Sequence, residues 1–192
     1  METLNIILDI DDTLMPCATV AAQMVREKYL YDIRDEDITV WNFTNFAPEV
    51  QQAIFSCFDD PEFYVRQTPH PGAVELVDRL MKQGHHVMIY SAVPPRNMRY
   101  RASQILRHFP IEPGDIILGG NKALMAADVL LDDGLYNCLR SKCAHPVVFR
   151  QPWNTGQHDL TSVDTYDEFY LLVQAIIAAR MAVSDSANST VQ

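Results

Sequence analysis

The sequence predicts an α/β fold, a parallel β-sheet flanked by helices with a small helical cap inserted after the first strand, and three features carry that prediction. Five short runs are apolar throughout rather than alternating, as befits strands covered on both faces of a parallel sheet. Segments of helical periodicity lie between several of them, so strand and helix alternate. Residues 15–68 break the rhythm with helical stretches and no buried strand.

In chain order, the runs are NIILDI (5–10), HVMIYS (86–91), DIILGG (115–120), DVLLDD (128–133) and PVVFRQ (146–151). After the first comes the cap, with helices expected in ATVAAQMVREKY and PEVQQAIFSCF, joined by the aromatic ITVWNFTNF (38–46). A helix follows in GAVELVDRLMKQG (72–84), where Val74, Val77, Leu80 and Met81 share a face, Pro71 suits a first turn and Gly84 can close the end. Two more are expected over 96–109 and 166–181. The organisation is thus a core of 1–14 and 69–181, a cap of 15–68, and a flexible polar tail over 182–192.

The 192 residues suffice for one domain with a full core. A formal charge of −10 disfavours a polymeric nucleic acid, whose affinity comes from Lys and Arg contacts. It leaves room for a small anion held locally by a metal ion and one lysine. The four cysteines are too scattered for a disulfide scaffold. Cys138, Cys143 and His145 lack the second close pair that a zinc site needs. With no signal-like leader and no run of membrane-spanning length, the expected compartment is the cytoplasm, without membrane association. A homodimer is compatible with these features, which do not fix the oligomeric state.

The chemistry gathers at the strand ends. The first strand finishes in Asp9, Asp11 and Asp12, followed by Thr13. Carboxylates held close in a partly buried site are costly unless a cation neutralises them. Oxygen-only ligands favour a hard divalent ion, Mg²⁺ first among them. The alternative is a turn or helix cap, with Asp12 or Thr13 satisfying free backbone N–H groups. A second acidic pair, Asp132 and Asp133, ends DVLLDD and strengthens the metal reading. Asp59 and Asp60 precede Pro61 and no strand, and read as a helix cap. Ser91 with the Ala92 N–H could hold an anion's oxygens, and Lys122 supplies a point charge.

Taken in order, Asp9-Ile10-Asp11-Asp12-Thr13, Ser91, Lys122 and Asp132-Asp133 resemble the motifs of the haloacid dehalogenase (HAD) superfamily of phosphohydrolases, across most of 1–14 and 69–151. TPHPGAVELVDRLMKQGHHVMIYSAVP and NKALMAADVLLDDGLYN look more narrowly like the 5'(3')-deoxyribonucleotidase family. The resemblance implies a Rossmann-like, HAD-like sheet and a Mg²⁺-dependent phosphomonoesterase. Its partner is a small-molecule phosphate ester, a nucleoside monophosphate by the narrower likeness. Asp9 would be the nucleophile and Asp11 the general acid and base. Mg²⁺ would sit on Asp9, the Asp11 carbonyl and Asp133, with Asp132 close by; Ser91, Ala92 and Lys122 would grip the phosphoryl group. Trp41 and Phe43 could stack on a base or belong to the cap's core, as could Phe46, and Asn154 beside Trp153 is a candidate contact.

Two departures bear on base preference: Cys17 stands where animal members place a base-contacting Phe, and Gly134 replaces a strand-end arginine of some members. Arg96, Arg99 and Tyr100 read as a solvated helix face and His70 as a loop residue. Alternatives are a phosphatase for a sugar phosphate or phosphoserine, and a non-catalytic binding protein of the same fold.

Overall fold

The computed structural model describes residues 2–156 and 158–189, apart from the side chains of Ala123 and of 184–189. Six parallel strands form one sheet: β1 (Asn5–Asp9), β2 (His86–Ser91), β3 (Ile116–Leu118), β4 (Val129–Asp132), β5 (His145–Phe149) and β6 (Thr161–Val163). Their order is β3-β2-β1-β4-β5-β6. The chain therefore leaves β1 in one direction for β2 and β3, and returns on its other side for β4 to β6. Between β1 and β4 lies the topological switch point, where open α/β sheets bind ligands at the carboxyl ends of the strands.

The apolar runs of β1, β2, β4 and β5 are largely buried, whereas Ile116, Ile117 and Leu118 of the edge strand β3 are half-buried. Ile6 and Leu8 face a core closed by the helices α4 (Ala73–Lys82), α5 (Met98–His108) and α7 (Tyr166–Ser189). Ile7 and Leu130 face the opposite side, with Val148 and with Cys138 of the short helix α6 (Leu135–Arg140). At about 1.5–3 kcal/mol per buried aliphatic side chain, such strands have no other stable place. Gly84 takes φ +87, closing the turn after α4. The face of α4 that packs inward is Ala73, Leu76, Val77 and Leu80.

Between β1 and α4 stand α1 (Ala18–Tyr29), α2 (Pro48–Phe58) and α3 (Pro61–Arg66), packed around a hydrophobic cluster of their own. Asp60 caps α3, its Oδ1 accepting the Glu62 N–H at 2.9 Å, as the aspartate before a first-turn proline predicts. Three features differ from the expectations. Strand β6 has only three residues and no apolar run, and it is fixed by pairing with β5. Helix α6 is too short to show a period. Helix α7 continues to Ser189, through most of the stretch expected to be a flexible tail, because neither glycine nor proline interrupts it; 190–192 lie outside the described residues.

Candidate active site

The register of the sheet assembles the site. Leu8 pairs with Leu131, so the next residues, Asp9 and Asp132, emerge side by side at the switch point. Asp9, Asp132 and Asp133 each offer an oxygen within 4.8 Å of the others. Lys122, from the turn between β3 and β4, places Nζ 2.6 Å from Asp9 Oδ1 and 2.8 Å from Asp132 Oδ2. Lys122 is thus paired with both buried carboxylates at once.

After Asp9 the chain turns, with the Leu14 and Met15 N–H groups donating to the Ile10 carbonyl. The turn delivers three side chains to three tasks. Thr13 Oγ1 accepts the Asp133 N–H at 3.0 Å and so ties the ends of β1 and β4 together. Asp12, at φ +52, accepts the Cys17 and Ala18 N–H groups at 2.7 and 3.0 Å and caps α1. For this residue the cap alternative holds. Asp11 Oδ2 accepts from Ser91 Oγ at 3.2 Å, and Asp11 Oδ1 receives Arg101 Nη2 at 2.5 Å.

Asp132 is fully buried and accepts from the Gly134 N–H at 2.8 Å, Asn137 Nδ2 at 3.0 Å and Lys122. A Cβ on Gly134 would stand 2.6 Å from Asn137 Nδ2 and 2.9 Å from Asp132 Oδ1. Any side chain at 134 would therefore have to displace the ends of these two residues. Asp133 accepts the Trp153 indole N–H at 2.8 Å.

Electrostatics at this edge follow from burial. Desolvation, then repulsion from Asp132, pushes the Asp9 and Asp133 carboxyls well above the usual carboxylate range. Burial likewise raises Asp12 to about 7, against its two N–H bonds. Burial alone would pull the Lys122 ammonium down, but Asp9 and Asp132 overcome it and hold it above the ordinary lysine range. Burial also keeps the Cys17 thiol well above its usual value, so it stays protonated.

Above the acidic cluster opens a cavity of about 650 Å³. Asp9, Asp11, Ala92, Lys122 and Asp133 line its floor, and Phe43, Phe55, Phe58, Phe63 and Tyr64 line its wall. Phe43 is both wall and cap core: it is buried, at φ +59, and meets Phe55 edge-on at 5.9 Å. Trp41 is 68% exposed at the rim, whereas Phe46 packs against the insertion's core.

Two expected substrate contacts have their polar groups engaged within the protein, although Asn154 also lines the cavity. Asn154 is buried with its amide spent inside the protein, Nδ2 donating to the Asp133 and Phe149 carbonyls and Oδ1 accepting the Gln151 N–H. It buttresses Asp133 rather than presenting a free group. Ser91 is fully buried and bonded to Asp11, so of that pair only Ala92 lines the cavity. Arg96 and Arg99 are exposed, Arg96 pairing with Asp59, and Tyr100 stacks on Tyr64 at 6.3 Å.

Arg101, Gln67, Asn137 and the role of Trp153 were not foreseen. Only Arg101 left a signal: it falls three residues after Met98 and four before Ile105, on the apolar face of its helix.

The chain resembles known proteins in both sequence and fold. A 5'(3')-deoxyribonucleotidase of Bacillus subtilis is 24% identical over 171 residues, covering 85% of this chain and 94% of its own. A predicted phosphatase from Clostridium acetobutylicum superposes with a TM-score of 0.60 at 13% identity, covering 91% of this chain and all of that one. A haloacid dehalogenase-like family hydrolase from Streptococcus pneumoniae gives 0.59 at 10% identity, over 89% and 98%. The model of one family, "5' nucleotidase, deoxy (Pyrimidine), cytosolic type C protein", matches residues 3–182. The chain belongs to that family, and with it to the HAD-fold phosphoric monoester hydrolases.

Proposed function

We propose that the protein is a Mg²⁺-dependent phosphomonoesterase of the cytoplasm that hydrolyses (deoxy)nucleoside 5'-monophosphates through an aspartyl-phosphate on Asp9. One observation carries the reading: Asp9, Asp132, Asp133 and Lys122 converge beneath a cavity whose wall is aromatic. The deoxyribonucleotidase activity named for the Bacillus subtilis relative points to the same substrate class.

The donor set suits a hard divalent cation. Its atoms are all carboxylate oxygens, and burial makes their negative charge costly. Asp9 and Asp133 would hold Mg²⁺, with Asp132 beside them. Bound there, the ion neutralises the cluster and draws electron density from the phosphoryl group.

The protein's own groups supply the rest. An Asp9 carboxylate oxygen attacks phosphorus as the bond from phosphorus to the sugar oxygen breaks. Asp11 gives its proton to that departing oxygen. Water then attacks the aspartyl-phosphate, Asp11 takes a proton from it, the bond to Asp9 breaks, and inorganic phosphate leaves. Lys122 stabilises phosphoryl charge from the cavity floor, and the aromatic wall receives the nucleoside.

The test is a panel of deoxynucleotides, ribonucleotides, a sugar phosphate and phosphoserine with Mg²⁺. Deoxynucleoside monophosphates are expected to be turned over fastest, and Asp9→Asn to reduce all turnover to background with the fold intact. Undiminished turnover in that variant removes the mechanism. A preference for the sugar phosphate or phosphoserine removes the substrate class.

A further inference from the structure

Helix α5 is amphipathic, and a residue on its inward face should be apolar. Arg101 occupies such a position and is 2% exposed. Buried arginines persist where a planar, multiply donating cation is needed. Here the guanidinium reaches two structures at once. Nη2 donates to Asp11 Oδ1 at 2.5 Å, while Nη1 donates to Gln104 Oε1 at 2.8 Å and Gln67 Oε1 at 3.1 Å.

Those two glutamines are themselves pinned. Gln104 Nε2 donates to the Tyr64 carbonyl at 2.7 Å, and Gln67 Nε2 to the Pro16 carbonyl at 3.0 Å. Pro16 and Gln67 stand at the two crossings between the core and the helical insertion, and the Tyr64 ring lies 4.9 Å from the guanidinium carbon. Arg101 is thus a fixed bracket and Asp11 its free end.

The bracket is not built for stability. Arg101 Nε is buried without a partner, a cost that a well-packed apolar side chain would avoid. What the arrangement accomplishes is to hold one carboxylate oxygen of Asp11 on the arginine and leave Oδ2, which accepts from Ser91 Oγ, as the oxygen that the guanidinium does not engage.

We propose that Arg101, anchored by Gln67 and Gln104, is the positioning residue that orients Asp11 for proton transfer to the leaving group. The proposal rests on the hydrolase reading above. In the step it serves, the proton passes from Asp11 Oδ2 to the ester oxygen as the bond from phosphorus to that oxygen breaks. An oxygen that leaves as a stable anion needs no such proton.

That difference supplies the test. The ratio kcat/KM reports events up to the first irreversible step, formation of the aspartyl-phosphate. It is to be measured with Mg²⁺ for thymidine 5'-monophosphate, whose leaving alkoxide must be protonated, and for 4-nitrophenyl phosphate, whose phenolate need not be. Arg101→Met is expected to lower kcat/KM about a hundredfold on the nucleotide, the scale of general acid catalysis, and no more than about threefold on the aryl ester. Arg101→Lys should recover part of the nucleotide activity.

Gln104→Ala keeps the arginine but loosens its anchor. It should show the same selective loss in smaller measure, and it carries the test should Arg101→Met fail to fold. Equal losses on both esters, or no loss on either, overturn the proposal and leave the hydrolase reading standing. A wild-type protein that cleaves neither ester removes that reading and this proposal with it.

Discussion

The Trp153 indole N–H donates to Asp133 Oδ2 at 2.8 Å, joining the turn after β5 to the last acidic residue after β4. Together with Thr13 Oγ1, 3.4 Å from Asp133 Oδ1, the bond orients this carboxylate, and Trp153 also packs against the core of the helical insertion. Trp153→Phe keeps the ring and removes the donor. Loss of such an outer partner typically costs ~10-fold or more in metal affinity. The expected outcome is a higher Mg²⁺ concentration for half-maximal activity with an unchanged unfolding midpoint. An unaltered Mg²⁺ dependence would show that the indole merely packs.

The acidic edge predicts a pH dependence for the metal-free protein. Burial first, then neighbouring carboxylates, raises Asp9 and Asp133 well above the usual range, and burial raises Asp12 to about 7. The folded state therefore binds more protons than the unfolded chain. Stability from these groups is present in full below their unfolded pKa of about 4 and is lost as pH rises through their folded values. His70, His85 and His108, lowered by burial, oppose this only below about pH 6.5. The melting temperature without metal should fall as pH is raised above neutrality, and Mg²⁺ should restore more of it at the higher pH. A metal-free midpoint that rises over that range contradicts the assignment.

Trp41 and Phe43 are two residues apart yet occupy opposite situations, one at the exposed rim and one in the buried wall. Phe43→Ala should cost about 3 kcal/mol of stability through the cavity it leaves. Trp41→Ala should stay within about 0.5 kcal/mol of the parent while raising KM for nucleotides. Urea unfolding with steady-state kinetics separates the two effects, and an unchanged KM in Trp41→Ala would take the rim out of substrate binding.

At position 134 a methyl group fits only if its neighbours move, because Asn137 Nδ2 and Asp132 Oδ1 lie within 3 Å of where it would sit. Gly134→Ala should displace the Asn137 amide and cost ~1–3 kcal/mol, as overpacking does. A variant with parental stability and activity would mean that the Asn137 bond to Asp132 is dispensable.

Hydropathy along the chain determined the sheet. An unbroken apolar run has to be covered on both faces, and that requirement is local enough to read from five or six residues, as β1, β2, β4 and β5 bear out. The acids closing two of those runs marked the edge where the candidate site lies, since charge at the end of a buried strand calls for a compensating cation. Other features were settled only by tertiary packing. β6 exists because β5 offers it hydrogen bonds, and α6 is too short to betray a period. Whether a polar side chain near the site faces the cavity or the interior depends on partners far away in sequence. Asn154 turned inward to hold the Asp133 carbonyl, and Ser91 turned to Asp11, 80 residues away. Arg101 meets Asp11 across 90 residues because α5 packs between the sheet and the insertion, a contact that no local pattern encodes.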